Sequence, residues 1–154
     1  MSQSFRFVVL AASALLLAIA AASPASAAGK VHRLVLQISD DSSDKMNTVL
    51  ANATNVARYY SEKGEEIEIR IVAYAGGLNM LRTDKSPVLD RLKSVSESIP
   101  AITFEACNNT IENMAKRENK KPSEIPLVSG AKIVPAGVVE LLELNEQGWT
   151  IIRP

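Results

Sequence analysis

Two rhythms alternate along this chain. Short runs rich in Val, Ile and Leu give way to longer stretches whose apolar residues recur every three or four positions, the spacing of one helix face. Residues 33–38 are the first apolar run and predict a strand; the cluster Ser39-Asp40-Asp41-Ser42-Ser43-Asp44 then favours a turn and a helix start. From 45 to 63, Met46, Val49, Leu50, Ala53, Val56, Ala57 and Tyr60 trace an amphipathic helix, and Gly64 is a natural stop. Residues 66–74 begin in strict alternation and end apolar, a second strand half exposed at its entry. Residues 75–81 read as a glycine-containing loop, in which Gly76 and Gly77 would serve a turn needing positive φ. Pro87, suited to a first helical turn, opens a second helix at 88–97. Pro100 closes it, and 101–106 predict a third strand. A turn at Cys107 leads into a third helix to about Asn119. The charged stretch 116–121 reads as a solvated helix end, and 123–130 as a connection. A short strand at 131–134 precedes Pro135-Ala136-Gly137 and a fourth helix with an apolar stripe of Val138, Val139, Leu141, Leu142 and Leu144. After Gly148, residues 149–152 are the fifth strand. Strands alternating with helices in this way predict an α/β domain, a five-stranded parallel sheet with helices on both faces.

Ahead of these elements lies a segment of another kind. Arg6 precedes an apolar run, 7–22, interrupted only by Ser13, and Ser23-Pro24-Ala25-Ser26-Ala27 supplies an A-x-A cleavage site. Residues 1–27 are expected to be a secretory signal peptide, which implies a periplasmic protein with no membrane attachment after cleavage. The remaining 127 residues, 28–154, suit a single domain. Lys plus Arg and Asp plus Glu balance at 17 each, so losing Arg6 leaves a net charge of −1. With no basic excess and one Trp, three Tyr and three Phe in the whole sequence, a nucleic-acid partner is not expected.

The candidate chemistry centres on Cys107, the one cysteine. It stands between an apolar strand and a helix, at the edge of an α/β sheet where ligands and reactions gather. A helix N-terminus there favours an anion such as a thiolate, whereas Glu105, on the same face if the strand extends to Cys107, would oppose one. The alternative is that Cys107 is a small buried hydrophobe. Right-handed crossovers bring every strand-to-helix loop to one edge, so Asp40, Gly76, Gly77, Asn79, Asn108, Asn109, Thr110, Pro135 and Gly137 are candidate ligand-binding residues beside it. His32, the one histidine, precedes the first strand at the opposite edge, which argues against a Cys-His pair, and a histidine-based metal site lacks ligands. There is no G-x-G-x-x-G, Walker loop, G-x-S-x-G or EF-hand spacing, and no metal or cofactor is expected.

Residues 32–41 (HRLVLQISDD), 72–81 (VAYAGGLNML), 104–110 (FEACNNT) and 134–141 (VPAGVVEL), with Gly148-Trp149, resemble the DsrE/DsrF-like family, particularly its small exported members. The similarity spans nearly all of 28–154 and implies a three-layer α/β/α domain, assembled as a homotrimer or hexamer. Sulfur-relay members carry a cysteine after the third strand that takes up sulfane sulfur as a persulfide, and Cys107 matches that position. The resemblance thus implies a sulfur carrier or sulfurtransferase-like protein with separate donor and acceptor partners. The residues after Cys107 depart from the relay pattern, and relay members work in the cytoplasm. The alternative is an oligomeric binding protein, without catalysis, in which Cys107 is structural.

Overall fold

The structure is a computed structural model that describes residues 30–154. The expected signal peptide lies outside the described residues. Five strands are found, β1 (His32–Ile38), β2 (Ile67–Ala73), β3 (Ile102–Cys107), β4 (Lys132–Val134) and β5 (Thr150–Ile152). Between them run α1 (Ser43–Glu62), α2 (Leu89–Ser98), α3 (Asn108–Arg117) and α4 (Gly137–Glu146). The sheet order is β4-β3-β2-β1-β5 and every pairing is parallel. The three-layer α/β/α architecture expected from the alternation is therefore present.

Strand order decides which face each helix covers. From β1 to β4 the chain steps in one direction across the sheet, so right-handed crossovers put α1, α2 and α3 on one face. The step from β4 to β5 reverses direction and puts α4 on the other. Two cores result. The larger joins Leu34, Leu36, Ile38, Ile69, Ile71, Ile102 and Phe104 of the sheet to Met46, Leu50, Leu92, Ile111 and Met114 of the three helices. Full burial of a side chain such as Leu50 contributes about 1.5–3 kcal/mol. The smaller joins Val35 and Val72 to Leu141, Leu144 and Trp149. Only Leu141 and Leu144 of the predicted stripe on α4 point inward; Val138, Val139 and Leu142 are 63, 50 and 56% exposed.

Three local expectations are corrected. Residues 75–81 are not an irregular loop but a 3-10 helix, Ala75–Leu81, whose Leu78, Met80 and Leu81 are buried. Neither Gly76 nor Gly77 has positive φ; Ala75 does, at 47°. Glycine is required at 77 by close approach, because a Cβ there would lie 2.3 Å from the Ile38 carbonyl oxygen. Pro87 sits before the cap residue Val88 rather than in the first turn of α2. The third correction concerns Cys107, which is the last residue of β3 and the cap of α3 with no turn between.

Candidate functional site

All four strand-to-helix junctions meet at the carboxyl edge of the sheet, tied by hydrogen bonds and close packing. After β1, Asp41 Oδ1 accepts from Asn79 Nδ2 of the 3-10 helix at 2.8 Å. The Ala75 backbone N–H donates to Thr110 Oγ1 in the first turn of α3 at 3.0 Å. The Asn109 N–H donates to the Pro135 carbonyl at 3.4 Å, joining α3 to the turn before α4. Gly137 begins α4 hard against the Tyr74 side chain, where an added Cβ would lie 3.0 Å from ring and Cβ atoms. Gln37 Nε2 donates to Tyr74 Oη, linking the ends of β1 and β2 beneath that contact.

Several predicted site residues are occupied by these internal tasks. Asp40 Oδ1 accepts the Ser42 N–H at 2.8 Å, a turn that launches α1. Gly76 packs against Asp41, and Gly77 against Ile38. Asn108 donates to Glu112 one turn along α3 at 2.8 Å. Asn79 keeps a buried Oδ1 with no hydrogen-bond partner among the described residues. Cys107 is 5% exposed. Phe104 and Ala106 lie in the three-helix core, so alternation along β3 turns the Cys107 side chain to the α4 side of the sheet.

Because β3 extends through Cys107, alternation places Glu105 on that same face. Glu105 is 1% exposed. Its Oε1 accepts from Arg70 at 3.1 Å and lies 3.6 Å from Lys132 Nζ, while its Oε2 has no partner among the described residues. Arg70 also reaches Glu140 of α4 at 3.2 Å and lies over the Trp149 ring at 4.6 Å. Burial, and then the charge of Glu140, push the Glu105 carboxyl above the usual carboxylate range, against Arg70 and Lys132. The sequence reading missed Arg70, Glu140 and Lys132. Its available signal was a charge inside an apolar run, Arg70 between Ile69 and Ile71, as with Glu105 between Phe104 and Ala106.

A second charged network, also missed, binds the 3-10 helix to α3. Arg82 is 0% exposed and forks onto Asp84 at 2.9 and 2.7 Å and onto Glu118 at 2.5 and 3.1 Å. His32 sits at the far edge, stacked on Tyr60 at 4.0 Å and paired with Glu65 at 2.8 Å. A groove of about 570 Å³ is also at that edge, between the ends of α1 and α2, and holds none of the predicted site residues. Among the described residues no cluster of three or more His, Cys, Asp and Glu could hold a metal, and no helix is long and apolar enough to cross a membrane.

The architecture has a solved counterpart. The chain is similar to the structure of a protein of unknown function from Methanobacterium thermoautotrophicum, with 26% identity, a TM-score of 0.66, and coverage of 80% of this chain and 99% of that one. No family model matches the sequence, and no curated protein does.

Proposed function

We propose that this chain is an exported, homo-oligomeric protein of the DsrE/DsrF-like family that carries sulfane sulfur on Cys107, a sulfurtransferase-like role. The observation that supports it is the placement of Cys107, with the sole thiol, at the end of β3, in the N-cap position of α3 and at the edge where the strand-to-helix junctions converge. Backbone N–H groups of the first turn of α3 and the helix dipole favour negative charge at that point. In the proposed step the Cys107 thiolate attacks the outer sulfur of a donor persulfide. A new S–S bond forms, the donor's S–S bond breaks, and the donor leaves as its thiolate. Charge and electrons balance without an external oxidant, and an acceptor thiolate later repeats the exchange in the other direction.

A second reading is favoured by one observation, the burial of Cys107 at 5% exposure. In it the thiol packs the junction of β3, β4 and α4, and the oligomer serves as a binding scaffold. One experiment separates the two. The protein from 28 to 154 is incubated with a low-molecular-weight persulfide and examined by intact mass spectrometry. The carrier reading expects one added sulfur per chain, absent from Cys107→Ser. No added sulfur, together with a thiol inert to alkylation until the protein is unfolded, leaves the scaffold reading.

A further inference from the structure

A concavity opens at the carboxyl edge of the sheet, on its three-helix side and away from the Cys107 side chain. Its volume is about 480 Å³, and its walls are Ala75 and the outer face of α3, with Thr110, Asn113, Lys116 and Arg117. Spacings of three and four put these α3 residues on one helix face. Their polar groups share one character. Thr110 Oγ1 accepts the Ala75 N–H, which leaves its hydroxyl proton to donate. Thr48 and Thr54 spend theirs on the carbonyl four residues back, and Thr110 makes no such bond among the described residues. The Asn113 amide likewise has no internal partner among the described residues. Lys116 and Arg117 form no ion pair among the described residues. The nearby carboxylates are committed elsewhere, Glu118 to Arg82, Lys85 and Lys120, and Glu112 to Asn108. No carboxylate lines the groove among the described residues.

A helix C-terminus attracts basic residues by itself, which would account for Lys116 and Arg117 being cationic. It does not account for a donor hydroxyl and a donor amide one and two turns earlier, facing the same concavity. We propose that this groove binds a small molecule through a tetrahedral oxyanion, a phosphate or sulfate group. The oxyanion is held by the Lys116 ammonium and the Arg117 guanidinium, with Thr110 and Asn113 donating hydrogen bonds. Among the described residues no aromatic side chain lines the walls to stack a base, and the groove offers two cations rather than a track of them, so a nucleic-acid strand fits poorly.

The test is nuclear magnetic resonance titration of the protein from 28 to 154 with inorganic phosphate and, separately, with phenyl phosphate. Both probes are expected to shift the backbone amides of Ala75, Thr110 and Asn113 and to saturate, with binding weakened by added chloride. Lys116→Gln with Arg117→Gln should weaken both by about tenfold or more, since two charge-assisted contacts are lost. Both side chains are exposed, so an unchanged urea midpoint verifies that the double variant is folded. Tighter binding of phenyl phosphate supports an oxyanion carried on an organic body, whereas equal binding supports the free ion. Absence of saturable shifts, or equal shifts in the double variant, overturns the proposal. Cys107→Ser should leave the titration unchanged, which keeps this outcome separate from the fate of the sulfur-carrier reading.

Discussion

At the scale of single residues, one buried arginine ties the end of the 3-10 helix to α3. Arg82 is wholly buried with its guanidinium shared between Asp84 and Glu118. Hydrogen bonds from Arg82 hold both carboxyls below the usual carboxylate range, and Lys85 and Lys120 add to the effect on Glu118. The sign follows from linkage. These two groups bind protons less tightly in the folded state, so the stability they contribute is fully present above the unfolded value of about 4 and is lost as pH falls through the folded values. Glu105 acts in the opposite sense. Its raised folded value means a contribution present below the unfolded value and lost as pH rises through the folded one. Glu118→Gln is therefore expected to be less stable than wild type at neutral pH, by an amount that shrinks as pH falls below about 4. Urea unfolding at a series of pH values measures the gap; a gap of constant size across the acid range would refute the assignment. Nothing in the sequence marked Arg82 as buried. It follows an apolar pair at the end of what read as a loop, and one partner, Glu118, is distant in sequence, so only tertiary packing brings them together.

At the scale of elements, the strands were legible and the segment Ala75–Leu81 was not. Runs such as Leu34-Val35-Leu36 and Ile69-Arg70-Ile71-Val72 carry β-branched or apolar residues on both sides because both sheet faces are covered. In Ala75–Leu81 two adjacent glycines mimic a flexible turn. Their use is steric instead: the 3-10 helix runs so close to the end of β1 that residue 77 has no room for a side chain. A Cβ at 2.3 Å from a backbone carbonyl oxygen has no flexible neighbour to displace, so Gly77→Ala should destabilise the protein by about 1–3 kcal/mol or more through backbone displacement. Gly76→Ala, whose nearest contacts are at 3.1–3.4 Å, should cost less. Denaturant midpoints of the two variants compare them directly, and equal midpoints would show that the 3-10 helix shifts freely. The same element logic explains the candidate site. That loops would converge was readable from strand-helix alternation, whereas the absence of a turn at Cys107, which draws the thiol into the strand, depended on one residue of strand length.

At the scale of the whole molecule, the topology leaves the two sheet faces unequal. Three α-helices cover one face, and among the described residues the other has α4 alone, a helix of 10 residues. Scattered apolar exposure is ordinary, but here Val138, Val139 and Leu142 cluster on a single helix turn, each at least half exposed. The charged positions of the same helix are all carboxylates, Glu140, Glu143 and Glu146, with no lysine or arginine among them. This composition motivates the homo-oligomer already proposed, with α4 at the contact between copies, and cyclic assembly is the usual form such contacts take. Leu142→Glu adds a fourth carboxylate to the centre of the stripe, where a partner copy would bury it unpaired. Its side chain is 56% exposed in the isolated chain, so the variant should keep its fold and its urea midpoint as a monomer. Light scattering coupled to gel filtration is then expected to show wild type at a multiple of the chain mass and Leu142→Glu at the mass of one chain. Wild type eluting as a monomer at micromolar concentration would remove the oligomer proposal, and a variant that stays oligomeric would move the contact off α4.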